Sequence, residues 1–403
     1  MGFELTSEQV QLGVELKKWW KNRVNQIYVY SGKAGTGKTT VVRYFLEEIG
    51  LSNDDIVCCA LSGKAVTVLS AHGLPAKTIH SLIYTPMMVD VLNEDGTPMM
   101  KPNGEVKKKL QFVKKHYLDK AYKLIVVDEL SMVNDELMAD LMSFDVPIIG
   151  MGDLNQLPPI FGISSYMLKP NFFLTKIMRQ SEGNPIVYLA NNVLERKPFV
   201  EGHYGKSEVR RSIPLDERLW LDYDIALCAK NSTRDLFNNG IRKEILGIQT
   251  NEPVPGDRLI CRQNDWSRSI QGMYLTNGTA GSIYDIDEER TTKNKLILDF
   301  VPDFNMEEAF LNVEVDHKYM TSNYLERKEA GLTQYLKFEY AYMITTHLSQ
   351  GSQYPSVLYL DEQFSWDRET QAKLRYTAIT RAMDRISIVL STNFLNPWRY
   401  ILS

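Results

Sequence analysis

The run Gly32-Lys33-Ala34-Gly35-Thr36-Gly37-Lys38-Thr39 limits the folds open to this chain more than any other feature. It has the form G-x-x-x-x-G-K-T, with a β-rich apolar stretch at 27–30 before it and a helical pattern at 39–49 after it. Glycines at these spacings let the backbone curl until several N–H groups converge on one anion. The helix that follows points its positive end at the same place. Such a loop joins a buried parallel strand to a covering helix, so at least one α/β unit is dictated. Lys38 is suited to reach the β and γ phosphates of a nucleotide, and Thr39 to ligate Mg2+. Gly32, Ala34, Gly35, Thr36, Gly37 and Thr40 complete the cradle, so ATP and Mg2+ are expected.

The apolar run at 124–127 ends in two acids, Asp128 and Glu129. Asp128 is suited to hold the metal, and Glu129 to polarise an attacking water. A kinase of small molecules has no need of the second acid, so the pair favours hydrolysis. Strands at 56–61 and 146–151, with a helix near 64–70, continue the alternation of a parallel sheet. Between 84 and 119 the pattern changes. Asp95-Gly96 and Asn103-Gly104 are turn dipeptides, and Lys107, Lys108, Lys109, Lys114, Lys115 and His116 add positive charge. This reads as a β-hairpin insertion ending in a basic helix, with a solvated loop as the alternative. A second α/β pattern starts after Gln180, with a strand at 224–229 and a helix at 233–246. From 256 to about 334 the chain looks all-β, with short strands at 258–261, 281–284, 295–300 and 311–315. Parallel-strand character returns at 340–344, 357–360 and 386–390. The implied division assigns 1–83 and 120–180 to a first α/β domain and 84–119 to the hairpin. It assigns 181–255 and 336–403 to a second α/β domain and 256–335 to an inserted β-barrel.

Bulk properties narrow the class. The 403 residues, 44% hydrophobic and 24% charged, have ordinary globular composition. No apolar run approaches the ~18 residues that a membrane span needs. The first residues lack a basic region followed by an apolar core. Gly2 and Thr6 fit a lipidation pattern only loosely, and Glu4 argues against it. A cytoplasmic chain is the expectation, in a host cytoplasm if phage-encoded. Cys58, Cys59, Cys228 and Cys261 make no C-x-x-C pair and read as reduced thiols rather than zinc ligands. The net charge of −4 weighs mildly against a polyanionic partner. Phosphate binding, however, needs only a local basic track.

Further short runs recur in order through nearly the whole chain: Thr6-Ser7-Glu8-Gln9, Ser62-Gly63-Lys64-Ala65, Thr78-Ile79-His80-Ser81-Leu82 and Gly152-Asp153-Leu154-Asn155-Gln156-Leu157-Pro158-Pro159. Leu174-Thr175-Lys176-Ile177-Met178-Arg179-Gln180, Thr276-Asn277-Gly278-Thr279-Ala280-Gly281, Thr345-Thr346-His347-Leu348-Ser349-Gln350-Gly351 and Tyr376-Thr377-Ala378-Ile379-Thr380-Arg381-Ala382 follow. Taken singly, Gln9 reads as a helix-surface amide, His80 as a hydrogen-bonded structural residue, and each arginine as half of a surface ion pair. Taken in this order with the phosphate loop, the runs resemble superfamily 1 helicases of the B branch, above all RecD-like and phage Dda-like DNA helicases.

The resemblance implies two RecA-like P-loop domains, with a hairpin pin in the first and a small SH3-like barrel in the second. It implies that Gln9 reads the adenine edge, that Gln156 senses the γ-phosphate, and that Arg179 and Arg381 act as arginine fingers. Gln350 and Gly351 would lie near ATP. Ser62, Gly63, Lys64, His80, Thr346 and His347 would contact DNA. The sequence departs from the family pattern at Leu61-Ser62 and at Leu348. The 276–281 run is expected to be a structural turn, and Met99, Met100 and Phe112 are the candidate wedge residues of the pin. The implied function is an ATP-dependent DNA helicase moving 5′ to 3′ on single-stranded DNA and opening forked duplexes. The implied state is a monomer, with single-strand-binding or replisome proteins as possible partners. Two alternatives stand beside it: a single-stranded DNA translocase that strips proteins without unwinding, and an accessory DNA-binding subunit. No metal-nuclease cluster is visible, so no nuclease activity is expected.

Overall fold

The structure is a computed structural model. It describes residues 5–390 apart from 94, 101–103, 105, 107, 160–161, 177–182, 212–220, 272, 330–332 and 363–366.

The chain opens with helix α1 (Ser7–Asn22). Its N-terminus is closed by a reciprocal capping box in which Thr6 accepts from Gln9 N–H and Gln9 accepts from Thr6 N–H. Strand β1 (Ile27–Gly32) leads through the phosphate loop into α2 (Lys38–Glu48). Strand β2 (Ile56–Ala60), helix α3 (Gly63–Ala71) and strand β3 (Ala76–Thr78) follow. A hairpin of β4 (Tyr84–Asp90) and β5 (Lys108–Lys114) interrupts the domain before β6 (Leu124–Val127), β7 (Ile148–Gly152) and β8 (Phe172–Leu174) complete it. The six strands outside the hairpin form one parallel sheet in the order β3-β2-β6-β7-β1-β8. Apolar residues occupy successive positions because both faces are covered. In β2, Ile56, Cys58 and Ala60 face the cluster built on α1 and α2, while Val57 and Cys59 face Leu137, Met138 and Leu141 on the other side. Burial pushes the Cys58 thiol up to about 12, in keeping with an inert core thiol.

The second unit repeats the plan. Strands β9 (Gly202–Tyr204), β10 (Ser207–Arg210) and β11 (Ile225–Cys228) enter it. The chain then leaves for a β unit made of β12 (Arg258–Cys261), β13 (Asp265–Ile270), β14 (Met273–Leu275), β15 (Ala280–Ile286), β16 (Lys295–Pro302), β17 (Phe310–Asp316) and β18 (Phe338–Tyr340). It returns as β19 (Met343–Thr345), β20 (Tyr354–Asp361) and β21 (Ala382–Leu390). The second sheet runs β19-β11-β20-β21-β10-β9 and is parallel except at its β9–β10 edge. The inserted β unit is an antiparallel sheet in the order β17-β16-β15-β12-β18. A bridge from Val315 to Leu336 brings its two edges together. Gly281 sits where a Cβ would lie 2.1 Å from the Val301 carbonyl oxygen, so only glycine fits there. Buried ion pairs fix the insertion to its host domain: Arg234 with Glu339, and Arg242 with Asp257 at 2.9 Å.

Two expectations are corrected. The basic segment after the hairpin turn is strand β5, paired with β4 from Tyr84↔Lys114 to Asp90↔Lys108, and not a helix. The backbone groups of this segment are taken up by the ladder to Tyr84–Asp90, a cross-strand partner that sequence spacing alone does not reveal. Tyr340, expected with the closing parallel strands, lies instead in Phe338–Tyr340, which pairs with β12 inside the β unit. Only Met343–Thr345 belongs to the parallel sheet.

Candidate functional site

The phosphate loop lies at the C-terminal end of β1, between the two sheets. Gly35 and Gly37 adopt left-handed φ angles of 80° and 77°, which curl the loop. Gly32 and Gly37 also allow close approach: a Cβ would meet Thr36 Oγ1 at 2.5 Å from the first and Gln9 Nε2 at 2.5 Å from the second. The Lys38 ammonium donates to the Gly32 carbonyl at 2.8 Å and the Lys33 carbonyl at 3.4 Å, so it lies across the mouth of the loop. Thr39 and Thr40 occupy the first turn of α2. Gln9 is 1% exposed, and its Nε2 donates to the Thr36 carbonyl at 3.0 Å. Its side chain therefore ties α1 to the loop, with Oε1 already engaged at Thr6.

Asp128 and Glu129 leave the end of β6 beside the loop. Glu129 is held at φ 51°, a left-handed conformation uncommon for a residue with a side chain. Such strain persists where the surroundings impose it, and it clusters at working sites. Burial, then the Glu129 charge, pushes the Asp128 carboxyl up to about 7 despite the attraction of Lys38. Glu129 Oε2 and Gln156 Oε1 are buried without a hydrogen-bond partner. Unpaired buried acceptors of this kind call for a donor, such as a water. The left-handed loop, the lysine across it and these free acceptors fit a magnesium nucleotide.

The second domain closes against this site through neutral side chains. Tyr376, in helix Arg368–Ile379, donates to Asp153 Oδ2 at 2.7 Å and accepts from Ala34 N–H at 3.3 Å. Thr377 Oγ1 accepts from Leu157 N–H at 3.0 Å, and Gln350 Nε2 donates to the Leu157 carbonyl at 3.0 Å. Lys33 Nζ reaches Asn191 Oδ1 at 3.2 Å. Gln350 thus bonds across the cleft to the first domain, whereas Gly351, also expected near ATP, lines the groove described below. Arg381 is 2% exposed and donates to the carbonyls of Thr377 and Ser352, at 3.1 Å each, and to Thr380 Oγ1 at 3.3 Å. These are neutral acceptors of its own domain, and among the described residues it has no carboxylate partner. Arg381 does not touch the phosphate loop in this arrangement; Tyr376, five positions earlier, does. Arg179 lies outside the described residues. The chain leading to it is tethered, since Glu8 accepts from Thr175 N–H at 2.8 Å and Lys176 N–H at 2.9 Å.

A groove of about 990 Å³ runs between the two α/β units and the β insertion. Lys64, Lys77, Arg258, Tyr274 and Tyr354 are among its walls. Ser62 caps α3. Gly63 and Gly351 let three units converge at its floor: their Cβ atoms would lie 2.6 Å from Thr276 Oγ1 and 2.4 Å from Ser62 Oγ. Lys64 crosses the groove to Tyr354, with Nζ 3.1 Å from the hydroxyl and 4.9 Å from the ring centre.

Of the expected DNA contacts, Gly63 and Lys64 line this groove; Ser62, His80, Thr346 and His347 do not. Thr346 is fully buried, and its hydroxyl donates to the Cys228 carbonyl at 3.1 Å, a packing role. His80 packs at a tilt against Tyr84 and edge-to-face against Phe112, at ring separations of 5.7 and 6.0 Å, under the base of the hairpin. His347 is half-buried and, like His80, does not line the groove. Burial pushes both imidazoles below their ordinary value, so both are neutral near pH 7. Phe112, a candidate wedge, faces Pro86 near the base rather than the tip. Sequence reading missed Asp153, Tyr376, Thr377 and Tyr354 as site residues, although the first three stand in motifs it singled out.

Comparison with known proteins agrees with this geometry. Residues 20–162 match the family described as AAA domain, and residues 340–389 the UvrD-like helicase C-terminal domain. The ATP-dependent RecD2 DNA helicase of Deinococcus radiodurans is 26% identical over 399 residues, covering 90% of this chain and 46% of its own length. The ATP-dependent DNA helicase dda of Enterobacteria phage T4 is 28% identical over 190 residues, covering 43% of this chain and 40% of its own. The chain spans between 37% and 54% of the lengths of the curated relatives it matches. Among solved structures, a Pif1 helicase studied at forked double-stranded DNA superposes with a TM-score of 0.58 at 19% identity, covering 98% of this chain and 94% of that one. Bacteroides Pif1 bound to single-stranded DNA gives 0.55 at 17% identity, with coverage of 98% and 94%. In sequence the chain is thus similar to the RecD2 and Dda DNA helicases, and in fold to the Pif1 helicases, with the same combination of paired parallel sheets, a phosphate loop followed by two acids, and motifs that meet across the cleft.

Proposed function

We propose that the chain is an ATP-driven motor that moves 5′ to 3′ along single-stranded DNA and separates the strands of a forked duplex. One observation carries the reading: the two domains that share the nucleotide cleft also wall the groove. A change in their spacing at the cleft must then change the grip along the groove. ATP is the substrate, and Mg2+, held by Thr39 and Asp128, would neutralise charge on its phosphates. Lys38 binds the β and γ phosphates; Gln9, whose amide is engaged at both ends in this arrangement, reads the adenine edge only by giving up its bond to Thr36 or Thr6. Glu129 accepts a proton from the attacking water, and Gln156 orients toward the γ-phosphate. Arg381 swings from its neutral acceptors toward the developing charge, with Arg179 as the companion finger. A buried guanidinium without a carboxylate has an unmet electrostatic demand that a phosphate can satisfy. Lys64 and Gly63 hold DNA on one wall, with Gly351 and Tyr354 opposite. The hairpin at 84–119 serves as the pin. The β unit, whose edges meet at Val315 and Leu336, serves as an SH3-like barrel over the DNA path.

The test measures ATP turnover and strand separation on duplexes carrying only a 5′ or only a 3′ single-stranded tail. Separation of the 5′-tailed duplex alone, with DNA-stimulated turnover, is the expected result; turnover without DNA dependence would refute the motor. A second reading, translocation that strips proteins without unwinding, draws on the position of Phe112 near the hairpin base. A protein-displacement assay beside the forked-duplex assay separates the two.

A further inference from the structure

We infer that Tyr376 is a positioning residue that reports the state of the phosphate loop to the Asp153–Gln156 segment and to the second domain at once; the inference rests on the ATPase reading above. The residue is 2% exposed within an apolar cluster, where a phenylalanine would pack as well. A buried hydroxyl is costly unless both its donor and its acceptor capacity are used. Here both are used, and both partners belong to the other domain: Asp153 Oδ2 at 2.7 Å and Ala34 N–H at 3.3 Å. Burial and the Asp153 charge push the phenol well above its ordinary value, so it stays a proton donor at neutral pH.

Each partner has a distinct bearing. Ala34 is the third residue of the loop whose backbone N–H groups cradle phosphates. An anion seated in the loop competes with the Tyr376 hydroxyl for this amide. Asp153 is fully buried, and its Oδ1 accepts from Asn155 N–H and Asn155 Nδ2, both at 3.0 Å. Its carbonyl accepts from Gln156 N–H at 3.1 Å. Asp153 therefore shapes the turn that presents Gln156. The next residue on the same helix, Thr377, holds Leu157 N–H. Adjacent residues of one second-domain helix thus grip the beginning and the end of the 153–157 segment. When the Ala34 amide is taken by another acceptor, the Tyr376 hydroxyl keeps only Asp153. The loop's occupancy is thereby converted into a changed balance of bonds on the segment that carries Gln156.

The test compares the full wild-type chain with Tyr376→Phe and Asp153→Asn. Three quantities are read: DNA-stimulated kcat and KM for ATP, base pairs opened per ATP, and thermal midpoint without nucleotide. Tyr376→Phe is expected to lower kcat about tenfold, the loss typical of one well-placed hydrogen bond. It is also expected to reduce base pairs opened per ATP and to change KM by less than about threefold. Asp153→Asn leaves one acceptor oxygen where Asn155 and the Tyr376 hydroxyl use two, so it should lower the ratio of base pairs to ATP in the same direction as Tyr376→Phe. A Tyr376→Phe chain with wild-type kcat and ratio overturns the inference. So does one whose kcat falls only as its folded fraction falls, with the ratio intact, because that is a packing role alone. A wild-type chain without ATPase activity refutes the functional reading instead.

Discussion

Removing the charge of Asp128 should stabilise the protein while abolishing its turnover, and the size of the effect should depend on pH. The carboxyl sits at the end of β6, held at about 7 against an ordinary 3.8 by burial and by the neighbouring Glu129 charge. A folded-state value raised in this way means that the folded chain binds the proton more tightly than the unfolded chain. Below 3.8 both states are protonated and the group costs nothing. Between 3.8 and about 7 the unfolded chain ionises first, so stability falls as pH rises; above 7 the loss is complete. Each tenfold difference in proton affinity is worth about 1.4 kcal/mol, so the full loss is about 4 kcal/mol, an upper bound for a residue that keeps some surface. Asp128→Asn keeps the shape and an oxygen to accept the Glu129 N–H bond, 2.8 Å long in the wild type, and it cannot ionise. Urea unfolding at pH 5 and pH 8 gives the comparison. The variant should gain at most about 1.7 kcal/mol at pH 5, where the unfolded carboxyl is already largely ionised, and at most about 4 kcal/mol at pH 8. Mg2+ with nucleotide should narrow the gap by stabilising only the wild type. A gain independent of pH, or a loss at pH 8, would show that the carboxylate is not desolvated at the end of β6 and would refute the argument.

Three further outcomes are expected. Arg381→Ala should bind single-stranded DNA like the wild type in a filter assay yet lose turnover by on the order of 10³-fold, as for other arginine fingers; retained DNA-stimulated hydrolysis would sink its role. Lys64→Ala should weaken binding uniformly across sequences and flatten the slope of log affinity against log salt by about 0.7, one phosphate contact on a single strand. Gly281→Ala should destabilise by at least about 3 kcal/mol, since the new Cβ meets the Val301 carbonyl oxygen at 2.1 Å in a paired strand; calorimetry would reveal any smaller cost.

Much of the scaffold could be read directly from the residues. The runs at 27–30, 56–61, 124–127 and 357–360 are continuous and apolar because helices cover both faces of each sheet, and such runs announce parallel strands. The phosphate loop announces itself because its glycines answer to backbone geometry within eight residues. The errors have a common physical origin. Lysines around Phe112 fit a helix surface and a ribbon edge equally well, and only the pairing with Tyr84–Asp90 decides between them. Thr346 stands in a recognisable motif, yet its hydroxyl is consumed by the Cys228 carbonyl from a neighbouring strand. Tyr376 reaches across 342 positions to Ala34, and no local pattern encodes a contact of that span.

The grip on Leu157 has a mechanical consequence. Both polar groups of this residue, N–H and carbonyl, are held by the second domain, at 3.0 Å each. Neither can slide or pivot alone, so the segment behaves as a tendon: covalently rooted in the first domain, but carried by the second. Any drift between the halves must then be absorbed inside the short span between Gly152 and Leu157, where Gln156 sits. A stroke of the motor would be felt first as a displacement of Gln156 relative to Lys38, two side chains of one and the same domain.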